Sequence, residues 1–179
     1  ADLVQGFLTV LLFGVAAPAA LAQAGAPAPD TRTWTLGTVG VALLLGPAPG
    51  MVAGALTMLL AWQLVHVALR MRAAADLRAL WAITGLALPP LALGMVAETH
   101  AIAIAGLHFV VLGPVMLQLG APILPVEHGV FRAAWLLGLA PLTLGVLLPA
   151  GIGGLAGPTL ALVGGTTLAG TTLLGLVWR

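Results

Sequence analysis

Apolar runs along this chain are long, and the few places where they stop set its elements. A first run, 3–22, leads from Leu3 to Ala22 and gives way to Gly-Ala-Pro-Ala-Pro-Asp-Thr-Arg over 25–32, where Asp30 or Thr31 can cap a following helix. The next apolar stretch, 33–72, is about twice the ~20 residues that one membrane crossing needs. It is interrupted only at Gly46-Pro47-Ala48-Pro49-Gly50, a turn signal that predicts a hairpin of helices 33–48 and 50–71. A third stretch, 78–121, breaks at Glu98-Thr99-His100 and predicts helices 77–98 and 100–121. Two more, 132–150 and 157–178, flank the Gly- and Pro-rich segment 149–158. The expected fold is all-α: a polytopic integral membrane bundle of seven transmembrane helices with very short loops, in a single transmembrane domain 1–179. Six spans result if 33–72 crosses as one kinked rod.

The positions of the charges favour the hairpin. With it, Arg32, Arg70, Arg72, Arg78, Arg132 and Arg179 all fall on one face of the membrane, whereas a single rod places Arg32 opposite Arg70, Arg72 and Arg78. The positive-inside rule makes that face cytoplasmic, with the amino terminus outside and the carboxyl terminus inside. Trp34, Trp81, Trp135 and Trp178 fall at helix ends on the same face, where an indole is expected to sit among headgroups with its N–H solvated. Trp62 lies deeper. The first run also has the apolar core of a signal peptide, but it lacks the basic n-region and is expected to be a helix. A bacterial or archaeal cytoplasmic membrane is the expected location.

Composition narrows the chemistry. The chain of 179 residues is 61% hydrophobic and 6% charged, where soluble domains carry roughly a quarter charged residues. Cysteine, lysine, serine, asparagine and tyrosine are all missing. That removes thiol, serine and lysine nucleophiles, a Schiff-base lysine and a Walker lysine. Six arginines are too few for a nucleic-acid footprint, so the expected partners are the bilayer and other membrane subunits, not nucleic acid. No Ser/His/Asp set, His-Glu-x-x-His or glycine-rich phosphate loop is present, and a catalytic role for the chain alone is not expected.

An ionisable group at depth in a bilayer calls for a functional explanation. His66 is expected ~7 Å inside the cytoplasmic end of the third helix and His108 ~12 Å from the outer end of the fifth, at 1.5 Å per residue. Either imidazole is a candidate axial ligand for a haem or other tetrapyrrole. Ala101 and Ala105 share the face of His108, with Gly106 and Gly113 nearby, and leave room for a flat macrocycle, while Ile104 narrows it. A bis-histidine pair of His66 with His108 is disfavoured by the ~12 Å separating their depths. The plain alternative for His108 is an interhelical hydrogen bond to a kink carbonyl or a threonine.

Glu98 and His100 are the candidate metal ligands. With His108, His66 and the Glu127-His128 pair they also form a sparse ladder for a cation or proton. The plainer expectation for Glu98-His100 and Glu127-His128 is a solvated bend, because turns are generically polar. Trp62, His66 and Arg70 share one face of the third helix beside Gln63, the pattern of a quinone or lipid niche or of an arginine snorkelling to the interface. Pro89-Pro90 and Pro114 should kink their helices. In the last helix Ala161, Gly165 and Ala169 recur every four residues, a face suited to close packing on other subunits, and its threonines can bond their own i−4 carbonyls. The expected role is a non-catalytic membrane subunit of a larger respiratory or photosynthetic electron-transfer complex, contacting a haem, pigment or quinone through a buried histidine. The alternative is a small permease or ion-transport protein using the His/Glu ladder.

Overall fold

The computed structural model describes residues 2–46, 50–92, 100–148 and 156–178. Among them there is no strand. The helices are α1 (Asp2–Leu11), continued through a π-turn (Leu12–Ala16) into α2 (Ala17–Gln23); α3 (Thr31–Leu45); α4 (Met51–Arg70); α5 (Ala75–Ala92); α6 (His100–Val110), continued through a second π-turn (Val111–Val115) into α7 (Met116–Leu119); α8 (Gly129–Leu147); and α9 (Ala156–Val177). These make seven continuous rods among the described residues. Four helical stretches among the described residues are long and apolar enough to cross a membrane: Leu3–Gln23, Met51–Arg70, Gly129–Leu147 and Ala156–Val177. Such helices are those of a membrane protein. The chain divides into two compact units, Ala1–Ala103 and Ile104–Arg179.

In the first unit, α2 stops at Gly25, whose positive φ of 65° lets the Ala26 N–H turn back to the Leu21 carbonyl at 3.0 Å. Asp30 then caps α3. Its carboxylate accepts from the Thr33 N–H at 3.2 Å and from the Thr33 hydroxyl. Gly37 lies against Leu60, and Gly40 lies against Leu56 and Thr57, so α3 and α4 run antiparallel. Residues 33–72 therefore form a hairpin and not a rod. The four-residue link 71–74 reverses the chain again, and Gly85 of α5 packs on Ala61, Leu64 and Val65 of α4. This alternation gathers Arg32, Arg70, Arg72 and Arg78 at one end of the unit.

In the second unit α8 and α9 form an antiparallel pair with an unbroken register. Phe131 meets Gly175, Gly138 meets Leu168, Leu142 meets Gly164, Gly145 meets Ala161, and Leu148 meets Gly157. A methyl group on Gly138 would come within 3.0 Å of the Leu168 backbone nitrogen, and one on Gly145 or Gly164 would overlap the facing helix backbone. Glycine is what allows the two backbones to touch. The seam on α9 runs 157, 161, 164, 168, 171 and 175, a different set from the small-residue face 161, 165 and 169 expected to meet other subunits. Of Ala161, Gly165 and Ala169 only Ala161 meets α8; Gly165 has open space where a side chain would be, and Ala169 is exposed. The threonines of α9 return their hydroxyls to carbonyls of their own helix, as at Thr171 to Thr167 and Thr172 to Leu168, both 2.8 Å.

Each π-turn frees one carbonyl, and a tryptophan from the next long helix takes it. The Ala17 N–H bonds the Leu12 carbonyl instead of the Phe13 carbonyl, and Pro18 has no N–H to offer, so Phe13 O is orphaned and the buried Trp34 indole donates to it. In the second unit the Met116 N–H reaches Val111 and Gly113, leaving Leu112 O to the Trp135 indole at 2.6 Å. This overturns the expectation that helix-end indoles are solvated among headgroups. Trp34, Trp81 and Trp135 are all buried; Trp178 is exposed, as is Trp62 at 66%.

The parallel between the units extends to sequence and order. Gln23-Ala24-Gly25-Ala26-Pro27 answers to Gln118-Leu119-Gly120-Ala121-Pro122 at the end of each π-turned helix, and Trp34-Thr35-Leu36-Gly37 answers to Trp135-Leu136-Leu137-Gly138 in the next. In both, that glycine packs on a leucine of the third helix, Leu60 or Leu168. Each unit thus contains a π-turned rod followed by an antiparallel helix pair, and the first unit adds α5.

Candidate functional site around His108

His108 stands on the apolar stretch Ile104–Leu119, one turn before the second π-turn. Its Nδ1 lies 2.8 Å from the carbonyl of Ile104. A carbonyl only accepts, so Nδ1 carries the proton and donates. In the neutral ring Nε2 then holds the free lone pair, the arrangement found in imidazoles that bind a metal or accept a hydrogen bond. The side chain is exposed, not buried as the sequence reading expected. The interhelical bond considered as the plain alternative is replaced by one within the helix.

Space beside the imidazole differs from expectation in one respect. Ala105 is buried and points into the packing, so it does not clear room at the ring. Gly106 does stand in open space, with no heavy atom within 4 Å of where its Cβ would be. Gly113, by contrast, lies against Leu139. It carries the non-helical ψ of −106° that, with Pro114, bends the segment. The Trp135 bond to Leu112 ties this bend to α8 and so fixes the helix bearing His108.

His66 belongs to the first unit. Its ring lies 5.9 Å from that of Trp62 at an interplanar angle of 30°. Trp62 and Arg70 are exposed, Gln63 and His66 half-buried. The expected shared face of α4 is therefore present and turned outward.

Glu98 and the side chain of His100, the expected metal ligands, lie outside the described residues, as does the side chain of Ala101. Glu127 and His128 form an exposed pair, 3.5 Å between carboxylate and imidazole, in the solvated bend expected of them. The same bend is closed by Arg132, whose guanidinium donates to the carbonyls of Val126 and Glu127 at 2.8 and 2.9 Å. Among the described residues no group of three or more acidic or histidine side chains is placed to hold a metal ion.

Two buried polar atoms escaped the sequence reading. Gln118 is only 6% exposed, and its Oε1 has no hydrogen-bond partner among the described residues; the same holds for Nε1 of Trp81. Gln118 follows Pro114 by four residues, and a polar amide one turn past a kinking proline is the signal that pointed there. Comparison with protein-family profiles, curated proteins and solved structures finds no match.

Proposed function

We propose that this chain is a non-catalytic integral membrane subunit of a larger electron-transfer assembly, and that His108 offers Nε2 to a haem or other tetrapyrrole. In this reading all seven rods cross the bilayer, with the arginine end of the first unit at the cytoplasmic surface. The observation that carries the cofactor assignment is the Nδ1–H bond to Ile104 O, which fixes the ring orientation and leaves the Nε2 lone pair free. A bound tetrapyrrole would supply one-electron or light-harvesting chemistry. The chain's own part is to hold the imidazole, through the helix carbonyl on one side and the Trp135–Leu112 tie on the other. The open Gly106 and the absence of a covering side chain on Gly165 support faces that receive a macrocycle or another subunit.

Purification with native partners in mild detergent, followed by an absorption spectrum, tests the assignment. A Soret or pigment band that His108→Ala abolishes is expected, and a colourless preparation from native membranes overturns it. The helix order shared by the two units favours a second reading, a small permease or ion-transport protein, because many transporters are built from internal repeats. Proton or divalent-cation flux in vesicles containing the purified chain alone would favour that reading over the first.

A further inference from the structure

The arginines at the end of the first unit are not accounted for by packing or by a histidine ligand. Arg70 ends α4, Arg72 lies in the link to α5, and Arg78 is in the first turn of α5. All three are exposed. Arg32 is brought to the same end by the α3–α4 hairpin but stands beside the Asp30 carboxylate, which it helps to hold ionised. Asp76, in the first turn of α5, accepts from the Leu77 N–H at 3.1 Å.

Above Arg70 on the same helix face are His66 and Trp62, four and eight residues back, or about 6 and 12 Å along the axis at 1.5 Å per residue. Their rings form a tilted pair on the outside of α4, and the indole is 66% exposed. A positive cluster thus meets a flat, amphipathic strip that runs along an apolar helix. Those are the two halves of an amphiphile: an anionic head and an acyl chain.

We propose that this end of the first unit binds an anionic phospholipid, with its phosphate between Arg70, Arg72 and Arg78 and its first methylenes against Trp62 and His66. Guanidinium groups recognise phosphate through charge-assisted and bidentate hydrogen bonds. An indole beside them is suited to the boundary between headgroup and chain. The site is distinct from His108 and does not depend on the assignment of a cofactor there.

Native mass spectrometry of the full chain in mild detergent, titrated with phosphatidylglycerol or phosphatidylcholine, reads the binding directly. Wild type should retain phosphatidylglycerol, and the triple variant Arg70→Gln/Arg72→Gln/Arg78→Gln should bind it at least about tenfold more weakly, since each basic side chain near anionic lipid contributes separately. The corresponding triple lysine variant keeps the charge but not the bidentate fork and should bind phosphatidylglycerol more tightly than the glutamine variant and less tightly than wild type, which separates recognition from a folding defect. Trp62→Ala should weaken retention of both lipids without changing the preference for the anionic one. Equal retention of the two lipids by wild type, or an unchanged affinity in the glutamine variant, overturns the proposal. So does displacement of the lipid by millimolar inorganic phosphate, which would mark a soluble anion as the occupant.

Discussion

Trp135 and Leu112 are 23 residues apart in sequence and are joined by an indole N–H donating to a backbone carbonyl at 2.6 Å. The carbonyl is available because the helix there is wound one residue wide, and the bond has a parallel in that of Trp34 to Phe13 in the other unit. In an apolar surrounding an unsatisfied carbonyl is costly, so the indole serves as the missing helical donor. Trp135→Phe keeps the ring and removes the donor. It should lower stability by about 1–3 kcal/mol, the cost of leaving a buried acceptor unpaired. Trp34→Phe should do the same, while Trp178→Phe, at a residue 78% exposed, should change nothing measurable. Thermal unfolding in detergent compares the three.

Close contact in the α8–α9 seam gives a second expectation. Gly145 and Gly164 have facing backbone where a side chain would go, whereas Gly165, one residue from Gly164, has open space. Gly145→Ala and Gly164→Ala should each destabilise by about 1–3 kcal/mol, because backbone cannot move aside as a flexible side chain can. Gly165→Ala should be neutral or stabilising by up to about 1 kcal/mol, through helix propensity alone. Equal effects at Gly164 and Gly165 would show that the seam is placed on the wrong face of α9.

Much of the fold is legible in the sequence because Gly, Pro and Asp act locally. The break at 46–50, the cap at Asp30 and the rod boundaries follow from backbone geometry that neighbouring residues dictate. The tryptophans misled for a physical reason: an indole near a helix end suits a headgroup or a freed carbonyl equally well, and the π-turns that free those carbonyls depend on a one-residue shift of winding. Pro18, five residues after Phe13, was the available clue. The α8–α9 seam was not legible in the small residues at 161, 165 and 169, because two helices in sustained contact alternate steps of three and four, whereas a step of four drifts around a helix. At the candidate site the histidine itself was legible, but its tautomer and exposure were not, since they depend on side-chain direction within the helix.

Asp30 supplies an expectation in pH. Its carboxyl is held below the ordinary value of 3.8, first by the Thr33 side-chain hydrogen bond, then by the Thr33 backbone N–H, with smaller help from Arg32. A carboxylate whose pKa is lowered by folding contributes its stabilisation fully above the unfolded value and loses it as pH falls through the folded one. Protection of the Thr33 amide against hydrogen exchange should therefore be level from neutral pH down to about 5 and decline below 4, after correction for the intrinsic exchange rate. Asp30→Ala should remove the protection at every pH, because it leaves the Thr33 N–H uncapped. Protection that persists unchanged down to pH 2 would mean the cap does not depend on charge.

The two reversals of the first unit predict where probes reach it. Gly50 opens α4 at one end of the α3–α4 hairpin, while Thr31 and Ala73 lie at the other, beside Arg32, Arg70 and Arg72. Because cysteine is absent from the chain, a single introduced thiol reports its position without background. If both hairpin helices cross the bilayer, Gly50→Cys should react with a membrane-impermeant maleimide added outside sealed cells, and Ala73→Cys and Thr31→Cys should react only after the cells are opened. The short α3 is the point at risk: its 15 residues rise about 22 Å, less than the ~30 Å hydrocarbon core, so it spans only where the bilayer thins or its polar ends reach the interface. Labelling of Gly50→Cys and Ala73→Cys from the same side would place the hairpin within one leaflet; the rods after it would keep their orientation, because two crossings are lost together, and the number of spans would fall from seven to five.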